Sequence, residues 1–213
     1  MNKIFFIADT HFRHDFIAKK RNFETTEAHD NFLIAEWNAK VDNGDRIYIL
    51  GDITMRGIDI KDILKQLNGE KYLIIGNHDS INRQNHAYYE KYFVWIKDVF
   101  MLKIKNGANI PSTKIWLSHY PHEVWPDDHY GSFHFHGHVH GYCRHKPLQK
   151  MPNRFDVGIT KINHSPYEMN EIFKILIDNN LWKKDYKEEL KRADEDEKNL
   201  ELLLNVVPFG FMS

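Results

Sequence analysis

The chain has 213 residues, a formal net charge of -1 and a pI near 6.9, so no global field draws it to nucleic acid or to an anionic membrane. Hydrophobic residues at 42% and aromatics at 14% fit a packed core and exclude a disordered segment. No run approaches the roughly 20 apolar residues of a membrane helix, and the single Cys143 permits no internal disulfide, which suits a reducing cytoplasm.

Ile4 to Ala8 is a continuous apolar run, the mark of a strand buried on both faces and too short for a signal-peptide core. Glu27 to Val41 places Phe32, Leu33, Ala35, Trp37 and Val41 as an amphipathic helix does. Arg46 to Leu50 is the next strand, and Ile58 to Leu67 reads as a helix stopped near Asn68-Gly69. Tyr72 to Ile75 is a third strand, followed by a helical or irregular stretch at His86 to Tyr92. Alternating strand and helix predicts a largely parallel sheet covered by helices. The second half differs. Trp95 to Ile104, a turn at Asn106-Gly107, Lys114 to Ser118, Ser132 to His136 and Arg154 to Ile159 give short strands in succession, hence a second sheet packed on the first. The expectation is one α/β domain over residues 1–180, a two-sheet sandwich flanked by helices. Residues 181–213 turn to charge, and Leu200, Leu203 and Leu204 are spaced for a terminal helix packed on the same domain.

Most of these strands run into Asp, Asn or His. Their ends supply Asp9 with His11, Asp52, Asn77-His78-Asp79 and His119, and a further segment ends in His138 and His140. Open α/β sheets carry their chemistry just beyond the carboxyl ends of their strands. Residues two apart in an extended segment share a face, so Asp9 and His11 are expected to reach one cation together, and His138 with His140 to repeat that geometry. Seven candidate ligands (Asp9, His11, Asp52, Asn77, His119, His138, His140) exceed one tetrahedral ion and suit two ions sharing a carboxylate. Mixed imidazole and oxygen donors favour Mn first, with Fe, Zn, Ni or Co as alternatives, over Ca or Mg.

Taken in order, Asp9-Thr10-His11, Gly51-Asp52, Gly76-Asn77-His78-Asp79, Ser118-His119-Tyr120-Pro121 and Gly137-His138-Val139-His140 resemble the calcineurin-like metallophosphoesterases. The resemblance spans about Lys3 to Ile175, with Asp156-Val157-Gly158 and Pro166 similar to that family's closing strand and following segment. Any one motif is weak; five in order are strong. The resemblance implies a four-layer sandwich and a binuclear centre, with Asp9, His11 and His140 on one ion, Asn77, His119 and His138 on the other, and Asp52 bridging. It implies hydrolysis of phosphodiesters, and of phosphomonoesters as well, by a hydroxide shared between the ions. His78 then contacts a phosphate oxygen or protonates the departing alkoxide, and Asp79 anchors the loop or orients a ligand imidazole. One position departs from the pattern. The Ser/Thr-phosphatase-like branch continues its second motif to another Asp ahead of an Arg, whereas here Met55 precedes Arg56. That argues against a protein phosphatase and for a small bacterial or phage-type enzyme.

Expected substrate contacts are Asn77, His14, Arg21 and Arg56, the last weighed against a solvated surface arginine. The substrate class is a small phosphoester or nucleotide-like molecule. His29, His86, His122, His129, His134, His136, His145 and His164 read as core or surface residues, with His122 the best placed of them, and Cys143 as a spectator thiol. Two other classes compete. A nuclease acting on DNA or RNA is disfavoured by the neutral charge balance, and a non-catalytic binding module by the complete ligand set. The assembly expected is a monomer or a homodimer, the latter through exposed aromatics such as Trp125 and the apolar end Val206 to Met212.

Overall fold

A computed structural model describes residues 2–55, 57–79, 81, 86–105, 112–141, 152–160, 163–179 and 181. Arg56, the Asn106-Gly107 turn, Cys143, His145 and the expected terminal helix lie outside the described residues. In chain order the first elements are β1 (Ile4–Ile7), α1 (Asp15–Lys20), α2 (Thr26–Lys40), β2 (Arg46–Leu50), α3 (Lys61–Leu64), β3 (Glu70–Ile74), α4 (His86–Tyr89) and β4 (Trp95–Lys97). They are followed by β5 (Val99–Ile104), β6 (Thr113–Ser118), β7 (Phe133–His136), β8 (Arg154–Asp156), β9 (Tyr167–Glu168) and α5 (Met169–Asp178).

The alternation of side chains in β1 sets the layering. Successive residues of a strand face opposite sides, so Phe5 and Ile7 enter one core and Phe6 and Ala8 the other. The first sheet runs β4-β3-β2-β1-β9, parallel throughout except for the antiparallel edge strand β9. Its outer face takes Leu33 and Trp37 from α2, together with Ile60, Ile63, Leu64 and Leu67. Its inner face meets the second sheet, β5-β6-β7-β8, in which β6, β7 and β8 are parallel and β5 is antiparallel. Between the sheets Phe6, Tyr48, Leu50 and Ile74 pack on Ile115, Leu117, Phe133 and Phe135, and Ile172, Phe173 and Leu176 of α5 close the end of this core. Phe6 meets Phe135 edge to face at 4.9 Å, a geometry that aromatic quadrupoles favour. The expected α/β two-sheet sandwich flanked by helices is the observed architecture.

Two boundaries and the exposure of one aromatic differ from the sequence reading. The run Trp95 to Ile104 divides at Asp98: β4 completes the first sheet beside β3, and β5 begins the second, paired along its whole length with β6. Continuous β propensity conceals a change of partner, which long-range pairing alone decides. The helix expected over Ile58 to Leu67 is helical only at Lys61–Leu64, although Ile60, Ile63, Leu64 and Leu67 are all buried. Their helix-like spacing reflects burial rather than a continuous hydrogen-bond ladder. Trp125 is 5% exposed and donates its indole N–H to Ser132 Oγ at 3.0 Å. With His122 it covers His134 on the outer face of β7, so it is not an exposed dimerisation aromatic.

No helix among the described residues is long and apolar enough to cross a membrane. Trp37 is 1% exposed and also donates to Asn68 O at 3.0 Å, tying α2 to the entry of β3. Trp37→Ala should lower unfolding stability by about 3–5 kcal/mol, as large-to-small changes of buried aromatics do. Denaturant midpoints measured at unchanged slope check this, and a loss under about 1 kcal/mol would contradict the packing described.

Candidate metal centre

The β1–β2 ladder does not stop where the strands end. Asp9 N donates to Gly51 O at 3.0 Å, His11 N to Asp52 O at 3.0 Å and Phe12 N to Ile53 O at 2.7 Å. Thr10 and Thr54 reinforce the pair, Thr10 Oγ1 donating to Ile53 O and Thr54 Oγ1 to Phe12 O. Yet the backbone here is not extended. Asp9 (φ 58°), His11 (φ 50°), Asp52 (φ 54°), His138 (φ 72°) and His140 (φ 50°) all occupy the left-handed region, where non-glycine residues are uncommon and Asp and His are among the better tolerated. Such conformations cost on the order of 1–3 kcal/mol each and gather at functional sites. The expected same-face geometry is therefore corrected in its cause. Left-handed turns, not an extended strand, bring Asp9 and His11 together, and they send His138 and His140 to separate groups.

Two ligand groups result. Asp9, His11 and His140 form one and Asp52, His119 and His138 the other, with the donor atoms of each group within 4.8 Å of one another. His11 Nε2 stands 3.3 Å from His140 Nε2, and His119 Nε2 stands 3.2 Å from His138 Nδ1. Donors bound to one cation at about 2.0–2.1 Å must lie about 3.3 Å apart in a tetrahedron, so these nitrogens are spaced as co-ligands. Asn77 Oδ1 lies 2.9 Å from both His119 Nε2 and His138 Nδ1, which adds an oxygen donor to the second group. His119 Nδ1 points at Leu50 O at 2.8 Å, the outer contact that leaves the other ring nitrogen free to ligate. Both groups could hold a metal ion. Asp52 lies between them, its Oδ2 3.8 Å from His11 Nε2 and 3.5 Å from His119 Nε2.

Glycine precedes the key acid and amide because the loops touch. Gly51 has φ +88°, and a Cβ there would sit 2.6 Å from His119 Nδ1 and 2.7 Å from the backbone of Gly76. A Cβ on Gly76 would sit 2.4 Å from Asp52. The carboxylate of Asp79 laces the same loops together, Oδ2 accepting from Asp52 N and Gly76 N and Oδ1 from Ile53 N at 2.8–2.9 Å. Both its oxygens are thus engaged by backbone, which makes Asp79 a positioning residue rather than a catalytic one. Burial, only partly offset by those amides, pushes its carboxyl up to about 6.

Burial also dictates the protonation of the ligands. It drives His11 down to about 2 and His140 down to about 4, so both imidazoles are neutral and ready to donate lone pairs. Asp9 moves well above the usual carboxylate range through burial and the nearby Asp156. His119, which burial alone would lower, is raised by its contact with Asp52.

The remaining expected site residues divide. The His78 ring lies 5.3 Å from that of His11, and the His14 ring lies 5.5 Å from His11 and 6.1 Å from His78, so both border the first group. His78 N also donates to Asp52 Oδ1 at 2.8 Å. Arg21 is turned inward. Its guanidinium donates to Asp9 O at 2.7 Å and Thr10 O at 2.9 Å and meets His29 Nε2 at 3.0 Å, while His29 Nδ1 meets Asp30 Oδ1 at 2.9 Å. It holds the first ligand loop in place instead of presenting its charge to a substrate. Met55, at the position of the missing acid, is 40% exposed. Asp156 escaped the sequence reading as a site residue. Its carboxylate accepts from Gly141 N and Gly158 N, both at 2.8 Å, and so fixes the turn after His140. The signal was available, since Asp156 ends a strand just as the ligands do.

No family model matches the chain. The uncharacterized protein MJ1445 of Methanocaldococcus jannaschii is 30% identical over 186 residues, which cover 83% of this chain and 92% of that protein. The Gene 66 protein of Mycobacterium phage L5 is 29% identical over 163 residues, 66% of this chain and 78% of that one. Among solved structures, a protein of unknown function from Aquifex aeolicus aligns with a TM-score of 0.60 at 25% identity, over 82% of this chain and 100% of its own.

Cation uptake should expel protons from the groups held above their ordinary values, Asp9 and His119, and none from His11 or His140 at pH 6. Release should therefore grow as pH falls. Calorimetric titration with a divalent cation in two buffers of different ionisation enthalpy reads this directly; equal heats in both buffers at the lower pH would contradict it.

Proposed function

The chain belongs to one family with the Methanocaldococcus jannaschii protein, and from its paired ligand groups we propose that it is a binuclear metal-dependent phosphoesterase acting on phosphodiesters, with phosphomonoesters as weaker substrates. A single observation carries this reading. One carboxylate oxygen, Asp52 Oδ2, stands within 4 Å of an imidazole from each ligand group, the arrangement needed for two cations that share a ligand about 3.5–4 Å apart. The five ordered motifs, which resemble those of the calcineurin-like metallophosphoesterases, support the same conclusion.

Asp9, His11 and His140 would hold one ion, Asn77, His119 and His138 the other, and Asp52 both, with manganese the first candidate. When bound, such ions polarise phosphoryl oxygens and bring the pKa of water toward neutrality. The protein's own part is to fix these donors rigidly. The Asp79 clamp and the Arg21 guanidinium brace the loops after β1, β2 and β3, so little reorganisation is needed as charge develops on the phosphoryl and leaving oxygens. His78 borders the first group without joining it, which suits proton donation from its ring to the departing alkoxide. His14, whose ring lies 6.1 Å from that of His78, would hydrogen-bond a phosphate oxygen. The substrate is a small phosphoester or nucleotide-like molecule.

The purified protein should hydrolyse bis(nitrophenyl) phosphate with manganese and lose that activity in chelator. His78→Ala should slow turnover by about 10²–10⁴, the usual contribution of a general acid, at near-native metal content by elemental analysis, whereas Asp52→Ala should lose both ions. Hydrolysis indifferent to chelator would refute the proposal.

A further inference from the structure

The loop that carries Asp9 and His11 into the first ligand group is held on two sides. Toward the loop after β2, the amides of Asp9, His11 and Phe12 donate to Gly51 O, Asp52 O and Ile53 O. On the other side the carbonyls of Asp9 and Thr10 accept from Arg21, and the amide of Arg13 donates to the two carboxylate oxygens of Asp30, at 3.0 and 3.2 Å. Arg13 is itself left-handed (φ 59°), a conformation that persists only where the surroundings enforce it.

Both outer contacts lead to one place. His29 and Asp30 are consecutive residues of α2, 0% and 7% exposed, and Leu33 and Trp37 seat that helix on the first sheet. A guanidinium has five donors and no acceptor, so His29 Nε2, 3.0 Å from the Arg21 nitrogen that also donates to Thr10 O, must offer its lone pair. The proton of the neutral ring is then on Nδ1, which donates to Asp30 Oδ1 at 2.9 Å. A second proton, on Nε2, would aim an N–H at a cation. One tautomer satisfies every contact, and Phe23 packs edge to face on the ring at 5.3 Å.

Resting on the two-ion reading, we propose that His29 and Asp30 are positioning residues for the first ion, a chain of hydrogen bonds from Asp30 through His29 to Arg21 that sets where Asp9 and His11 stand. Asp30 grips the end of the loop directly, at Arg13, and its start through His29 and Arg21. One buried carboxylate thus fixes both ends. Asn77, Asp52, His119 and His138 lie on other loops, two of which Asp79 laces together. The ions therefore have separate clamps, and loss of the α2 clamp costs the first ion alone.

The test begins with the full-length protein free of metal. Nitrogen NMR of the imidazoles should show His29 protonated at Nδ1 and bare at Nε2; the reverse overturns the proposal. Asp30→Leu should speed hydrogen exchange of the Arg13 amide by about tenfold or more. With manganese as the probe, calorimetric titration of the native protein should resolve two sites, and His29→Leu should weaken one of them by about 10–100-fold while the other keeps its native affinity. His29→Gln, which retains one acceptor and one donor, should lose less than His29→Leu. Two native sites in His29→Leu, an equal loss at both sites, or no advantage of Gln over Leu overturns the proposal. The tautomer of the native protein decides the matter even where His29→Leu fails to fold. Should the native protein bind no manganese, the metal-centre reading falls, while the Nδ1 tautomer and the protected Arg13 amide still uphold the brace on the loop.

Discussion

The constraint on which the rest of the structure depends is the burial of titratable side chains at the strand ends. Asp9, His11, Asp52 and His119 are each 2% exposed or less, and burying ionisable groups is costly unless they are paired or neutralised. The Arg21 guanidinium is directed at backbone carbonyls rather than at the carboxylates. Burial works against charge throughout the cluster, drawing protons off His11 and His140 and shifting Asp9 toward its neutral form. A buried set of this kind offers neutral lone pairs and latent carboxylates together, which is what a divalent ion requires.

Holding such a set open calls for a stiff backbone, and three side chains supply it. Asp79 joins the loops after β2 and β3, Arg21 braces the loop after β1, and Asp156 fixes the turn after His140. None of the three is a ligand in the groups described, yet each fixes a ligand loop. Burial lowers the Arg21 guanidinium to about 10, an effect its attraction to Asp9 only partly offsets, and its contacts with Asp9, Thr10 and His29 are the compensation. The network follows the general rule that buried polar groups rigidify a site only when every member is satisfied. His11 Nδ1 is the exception, buried without a hydrogen-bond partner among the described residues.

The layering explains why the first ligand group shares His140 with a cleft at its side. β1 lies inside the first sheet, and Ala8, just beyond its end, bridges to Gly158 beyond β8, with Ala8 N donating to Val157 O and Ile159 N to Ala8 O. The two sheets meet at this seam. The first ligand loop leaves it on one side, and Ile159 and Thr160 leave it on the other to line the cleft.

Much of this was legible in the order of residues. The apolar runs, the amphipathic spacing of Leu33 and Trp37, and acids, amides and imidazoles closing one strand after another are local patterns, and local patterns survive reading one residue at a time. The split of Trp95 to Ile104 between two sheets, the inward turn of Arg21, the burial of Trp125 and the left-handed backbone at the ligands were not legible. Each is decided by a partner distant in the chain or by a left-handed φ that the neighbouring residues do not announce. Residue type determined which atoms could ligate; only the tertiary structure decided which of them stand 3 Å apart, because that distance is set by strand pairing and loop contacts across more than a hundred residues.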